Sequence, residues 1–261
     1  MPVLSRVDGA IGVITLSQLA RKNALDGQAF QQLREAARGL PEVRAVVVTG
    51  DGHDFSAGLD LSVDNSLLRD IAPAVDRGDD GVARRVIGEL KDCVAALAEL
   101  EVPTFAAIEG ACIGGGLEIA LACDVRIAAR SSLLSLPEVR FGMIPDVGGC
   151  TRLARLIGPG RAADLICTGR RLGGEEAFNL GLVERLCDTG QALPTALAAA
   201  RAVCENGPQA VRLALAAVRV SADLGLDEAL SVETNHGALA LTSGEAREGI
   251  NAFRERRAPR W

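Results

Sequence analysis

Three short segments place acids and glycines where backbone N–H groups and carboxyls could act on a carbonyl compound. The first runs from Ile108 through Gly114, Gly115 and Gly116 to Glu118: an apolar run, three glycines, then residues of helical character. Glycine lets a backbone approach a ligand closely, and the free N–H groups of a helix start favour negative charge, so this segment suits an anion or oxyanion. The second, Asp54 to Leu61, carries Ala57, Gly58, Leu59 and Asp60 just after the apolar run 45–49. Loops at strand ends are where an α/β fold presents its groups, so a second backbone donor could come from here. The third, Leu134 to Leu153, places Glu138 directly after Pro137 and Asp146 just before a helical stretch. Two carboxyls beside two backbone donors are the parts needed for acid–base work on a polarised carbonyl.

Taken singly, each segment has a bland explanation. The glycines make a tight strand-to-helix turn, Asp54 to Leu61 an ordinary polar loop, Glu138 a first-turn acid after proline, and Asp146 an N-cap. Other chemistries find less material. With only two histidines, His53 and His236, and no G-x-S-x-G elbow around Ser56, a Ser or Cys hydrolase lacks its triad. The seven cysteines form no C-x-x-C pair and their number is odd, so they read as reduced, mostly buried apolar residues, with no metal site among them. A net charge of −6, no tyrosine and a single tryptophan, Trp261, leave neither the basic face nor the stacking platforms that nucleic acid requires. The opening Met1 to Ala10 has no basic segment followed by an apolar run, and apolar stretches elsewhere are broken by charge. The expectation is a cytoplasmic protein with no membrane partner.

The elements that must position these segments alternate. Val3 to Val7, a turn at Asp8 and Gly9, and Gly12 to Leu16 read as a hairpin. With Asp26 as N-cap, Phe30, Leu33, Ala37 and Leu40 recur at helical spacing and lead into the buried run 45–49. Helix 82–100, strand 104–108, helix 117–123 and strand 125–129 repeat the pattern, which implies α/β layers. Between Leu61 and Gly81, five aspartates around Pro73 and Gly78 read as a mobile surface segment. After Pro194 strand signals stop, and alanine-rich helical stretches at 196–204, 208–220, 226–241 and 245–256 form a helical lobe. The expected division is a core of 1–195 and a lobe of 196–261.

The three segments, in this order and along nearly the whole chain, resemble the crotonase (enoyl-CoA hydratase/isomerase) superfamily. The resemblance implies a crotonase-like ββα spiral core with a C-terminal helical lobe, assembled as a homotrimer or a dimer of trimers. It implies an acyl-CoA thioester as substrate and no cofactor, CoA being part of the substrate. It assigns the two oxyanion donors to Leu59 and Gly115, water binding to Glu118 and proton delivery to Glu138, which is hydration of a trans-2-enoyl-CoA. Ala57, Gly58, Asp60, Leu61 and Gly114 fall on the family's substrate loops. Ala20 to Leu25 is similar to the loop that meets CoA, which makes Arg21, Lys22 and the backbone at Ala24 candidates. Gly249 to Pro259 is similar to the family's terminal motif, with Arg256 and Arg257 as weaker candidates.

Two departures matter. Leu59 stands where many hydratases have alanine, adding bulk near the acyl chain. Asp146 stands where glycine is common and resembles the dienoyl-CoA isomerase branch, in which Glu138 and Asp146 would shuttle a proton. Glu118 argues for the hydratase, because that isomerase branch carries aspartate there. A third reading, a non-catalytic acyl-CoA binding protein, is disfavoured by the presence of both glutamates.

Overall fold

The computed structural model describes residues 1–261. The chain runs β1 (Val3–Asp8), β2 (Ile11–Leu16), α1 (Gly27–Arg38), β3 (Ala45–Gly50), α2 (Ser66–Asp76), α3 (Asp80–Ala98), β4 (Thr104–Ile108), β5 (Ala111–Ile113), α4 (Gly115–Ala122), β6 (Val125–Ala129) and β7 (Leu133–Ser135). A 3-10 turn (Glu138–Phe141) follows, then α5 (Gly149–Ile157), α6 (Pro159–Thr168), β8 (Leu172–Gly173), α7 (Gly174–Asn179) and β9 (Arg185–Cys187). Four helices close the chain: α8 (Ala192–Cys204), α9 (Pro208–Ser221), α10 (Leu226–Thr242) and α11 (Glu245–Glu255).

Six strands form one sheet in the order β1-β2-β3-β4-β6-β9, and β5-β7-β8 form a second. The hairpin β1–β2 is antiparallel, and every later pair in the large sheet is parallel. Parallel strands buried on both faces need continuous apolar runs, which is why 45–48 is all Ala and Val. Alternation then sorts the side chains. Ile14, Leu16, Val46, Val48, Ala106, Ile108 and Ala128 enter the main core with residues of α1, α3 and α4. Ile11, Val13, Ala45, Val47, Phe105, Ala107 and Ile127 face the opposite way, onto Ala192, Ala196, Ala199 and Ala200 of α8.

Helix starts follow local chemistry. Asp26 caps α1 by accepting a hydrogen bond from Ala29 N at 2.8 Å. Arg219 of α9 ties the last helices to the core through both carboxylate oxygens of Asp124, each at 2.8 Å, and the carbonyl of Leu100 at 2.6 Å. All seven cysteines are free thiols. No helix is long and apolar enough to cross a membrane.

Three expectations change. Residues 66–76 are helical: Asn65 accepts from Leu67 N to start α2, Leu67, Leu68 and Ala74 are turned inward, and Pro73 lies within the helix. The acids that suggested a loose segment lie mostly on the outer face. The boundary at 195/196 falls inside α8, and the alanine face of α8 belongs to the sheet; the helices with few or no buried residues begin at Pro208. Asp146 does not cap α5, whose N-cap is Gly148. The capping carboxylate comes from another part of the chain.

Candidate active site

Two loops cross between the sheets. Leu25 brackets the second segment, its N–H donating to Gly58 O at 2.7 Å and its carbonyl accepting from Asp60 N at 2.8 Å. Ser56 N donates to Ala111 O and Ile113 N to Ser56 O, which stitches that loop to β5. The approach is close enough that a Cβ on Gly58, whose φ is +86°, would lie 2.6 Å from Ile113 O. A Cβ on Gly115 would lie 3.9 Å from Leu59 N. Leu59 N makes no hydrogen bond, and Gly115, as the first residue of α4, has no carbonyl one turn back to receive its N–H. The structure therefore brings two unpaired backbone donors together.

Glu118 sits on the first turn of α4 and is 3% exposed. Its Oε1 accepts from Val147 N at 3.0 Å and Gly149 N at 2.8 Å, so this carboxyl caps α5. Burial pushes the Glu118 carboxyl up to about 8; the Gly149 and Val147 N–H groups oppose that shift, and the nearby charges of Glu138 and Asp146 add to it. Glu138 follows Pro137 on the 3-10 turn, and its Oε2 is buried with no hydrogen-bond partner. Burial raises this carboxyl too, and the charge of Asp146 adds to the rise. Gly114, at φ +54°, is required here, because a Cβ would come within 2.7 Å of Glu138 Oε1.

A cavity of about 250 Å³ opens beside these groups, walled by Ala57, Gly58, Leu59 and Leu61 on one side and by Gly114, Pro137 and Glu138 on the other. Ile113, Arg140, Phe141, Met143, Gly169 and Arg171 complete it. The sequence offered a partial signal for Arg140 and Phe141, which lie within one turn of Glu138, and none for Arg171. Gly115, Glu118 and Asp146 are not among its walls; partial burial raises the Asp146 carboxyl, but the residue as a whole is exposed, and water offsets much of that penalty.

The remaining candidates lie apart from the cavity. Arg21 pairs with Asp60 and Asp64, and Lys22 lies 3.6 Å from Asp54. Ala24 is buried, Arg256 ends α11 in the left-handed region, and Arg257 pairs with Glu248 and Glu255. Ser56 Oγ donates to Asn23 O and is fully buried, while His53 is exposed, so no Ser–His pair forms. No group of three His, Cys, Asp or Glu side chains is arranged to hold a metal ion.

Two neighbouring backbone donors without partners, with the buried Glu118 and the half-buried Glu138 close by, are an arrangement that can hold a carbonyl oxygen and stabilise charge on it. Residues 6–261 match the family described as enoyl-CoA hydratase/isomerase, and the chain belongs to that family, within the crotonase superfamily. Among its relatives, the crotonyl-CoA hydratase of Syntrophomonas wolfei is 32% identical over 252 residues, 95% of this chain and 92% of that protein. The carnitinyl-CoA dehydratase of Salmonella typhi is 32% identical over 262 residues, 97% of this chain and 95% of that one. The crystal structure of enoyl-CoA hydratase from Bacillus anthracis superposes with a TM-score of 0.90 at 32% identity, covering 100% of this chain and 99% of that one.

Proposed function

We propose that this protein is an enoyl-CoA hydratase that adds water syn across the C2–C3 double bond of a trans-2-enoyl-CoA. The observation that carries the reading is the meeting of Leu59 N and Gly115 N beside Glu118 and Glu138. The thioester carbonyl lies against the two N–H groups, which stabilise the enolate; losing one such donor costs about 3–4 kcal/mol. Glu118, with Oε1 held by two backbone donors, keeps Oε2 for a water molecule and takes its proton as hydroxide adds to C3. Glu138 delivers a proton to C2. The sum is one water added, and exchange with solvent then takes the proton from Glu118 and returns one to Glu138. The step needs one acid and one carboxylate, and two neighbouring buried carboxyls share a proton readily.

No cofactor enters this scheme beyond the CoA carried by the substrate. The apolar side chains left exposed on the last helices, Leu226, Leu241, Ile250 and Phe253 among them, suit a homotrimer or a dimer of trimers, and seven free thiols suit the cytoplasm.

A dienoyl-CoA isomerase is the second reading, supported by the charge of Asp146 acting on Glu138. Asp146 is exposed, whereas Glu118 is buried, which puts this reading behind the hydratase. Purified protein is incubated with short and medium trans-2-enoyl-CoAs and, separately, with a 3,5-dienoyl-CoA. Loss of enoyl absorbance that depends on both glutamates supports hydration. Formation of the 2,4-dienoyl-CoA, with its diene conjugated to the thioester carbonyl, that depends on Asp146 replaces it with isomerisation, and tight binding without turnover replaces both with an acyl-CoA binder.

A further inference from the structure

We propose that Arg21 is a positioning residue for the loop that presents Leu59 N–H, and not a ligand of the substrate's phosphates. The proposal rests on the hydratase reading above. One guanidinium nitrogen of Arg21 donates to the carboxylate of Asp60 and, at 2.7 Å, to Ser62 Oγ; the other donates to Asp64 Oδ2 at 3.0 Å. All three acceptors lie in the five residues after Leu59. Three of the five guanidinium donors are thus engaged, and the two carboxylates outweigh the single cation, so the cluster repels rather than attracts a further anion.

The partner that matters is Asp60. It is 6% exposed, and apart from Arg21 its side chain accepts only from Ser62 N, at 2.9 Å. A buried carboxylate deprived of its cation must find water or move, and here movement carries the neighbouring peptide with it. The donor's own peptide, Gly58 C=O to Leu59 N–H, is the next one along: Gly58 O accepts from Leu25 N, and Asp60 N donates to Leu25 O. The N-terminal loop is built to make the reach. Lys22 and Asn23 stand consecutively in the left-handed region at φ +52° and +55°, a strained arrangement for residues other than glycine. It is held by Ala57 N on Lys22 O at 2.8 Å and Ser56 Oγ on Asn23 O at 2.7 Å. Residues 21–25 act as a template against which the donor loop is registered, with Arg21 as its outer latch.

The test compares wild type with Arg21→Met, Arg21→Lys and Asp60→Asn, using a trans-2-enoyl-CoA and the matching pantetheine thioester, which lacks the nucleotide phosphates. Arg21→Met is expected to lower kcat by about tenfold or more for both thioesters alike, because a donor displaced by a fraction of an ångström loses its aim. KM for the CoA thioester and the Kd of free CoA stay within about twofold of wild type, since no phosphate contact is lost. Asp60→Asn, on the other side of the latch, lowers kcat by a similar factor and adds little to Arg21→Met, and Arg21→Lys restores part of the rate. A rise in KM and in the Kd of CoA with the pantetheine thioester unaffected would make Arg21 a phosphate ligand and overturn the proposal; unchanged kinetics would overturn it equally. Hydrogen exchange at residues 57–65 reads the same latch without turnover. Faster exchange in Arg21→Met is expected even if wild type hydrates no enoyl thioester, and unchanged exchange counts against the latch whatever the reaction.

Discussion

The carboxyl of Glu118 lies 2.8 Å from the amide nitrogen of Gly149, so a group on the first turn of α4 caps the start of α5, 31 residues further along the chain. This contact couples the site to the fold. It orients one oxygen of Glu118 by backbone and leaves the other for chemistry, while burial keeps the carboxyl's affinity for a proton high.

That coupling gives stability a pH dependence. The ordinary glutamate value is 4.5 and the folded protein holds Glu118 at about 8, so between these values the folded state binds more protons than the unfolded chain. Stability is then fully present below about pH 4.5 as far as this group is concerned, and falls as pH rises toward 8. Glu118→Gln should flatten this slope in urea unfolding between pH 5 and 9 and lower kcat by about 10² to 10⁴. A slope unchanged in the variant would place the proton elsewhere.

Gly114→Ala should damage catalysis more than folding. Its Cβ would stand 2.7 Å from Glu138 Oε1 and in a left-handed conformation, so the carboxyl must swing away from the cavity. We expect kcat to fall by about 10² with KM little changed, as steady-state kinetics on an enoyl-CoA would show.

Asp146→Asn separates the two reactions. Because Asp146 is exposed, hydration should persist within about threefold, a surface-type effect. A larger loss, accompanied by loss of diene formation from a 3,5-dienoyl-CoA, would favour the isomerase.

Arg126→Met probes stability far from the chemistry. The guanidinium, its side chain 4% exposed, donates to Leu182 O at 3.0 Å and Cys123 O at 2.7 Å and pairs with Glu184. Removing it strands buried carbonyls and a carboxylate, at a cost of about 3 kcal/mol in urea unfolding. Activity of the folded fraction should be retained.

What could be read from the residue order was whatever short-range physics decides. The runs at 45–48, 104–108 and 125–129, apolar except for Thr104 and Arg126, read as buried strands, and Asp26 caps α1 through a bond three residues away. The glycines at 114–116 and the acids at 118 and 138 were visible as candidates, and the family resemblance gave them an order and a chemistry. Tertiary structure decided the rest, because the deciding contacts join residues far apart in sequence. Acids and Pro73 hid α2 until Leu67, Leu68 and Ala74 found an inner surface. Asp146 looked like the cap of α5, but the chain crossing delivers Glu118 there instead. Arg21 looked free for a phosphate, yet its charge is taken up by Asp60 and Asp64, about 40 positions away, where no local rule could have placed it.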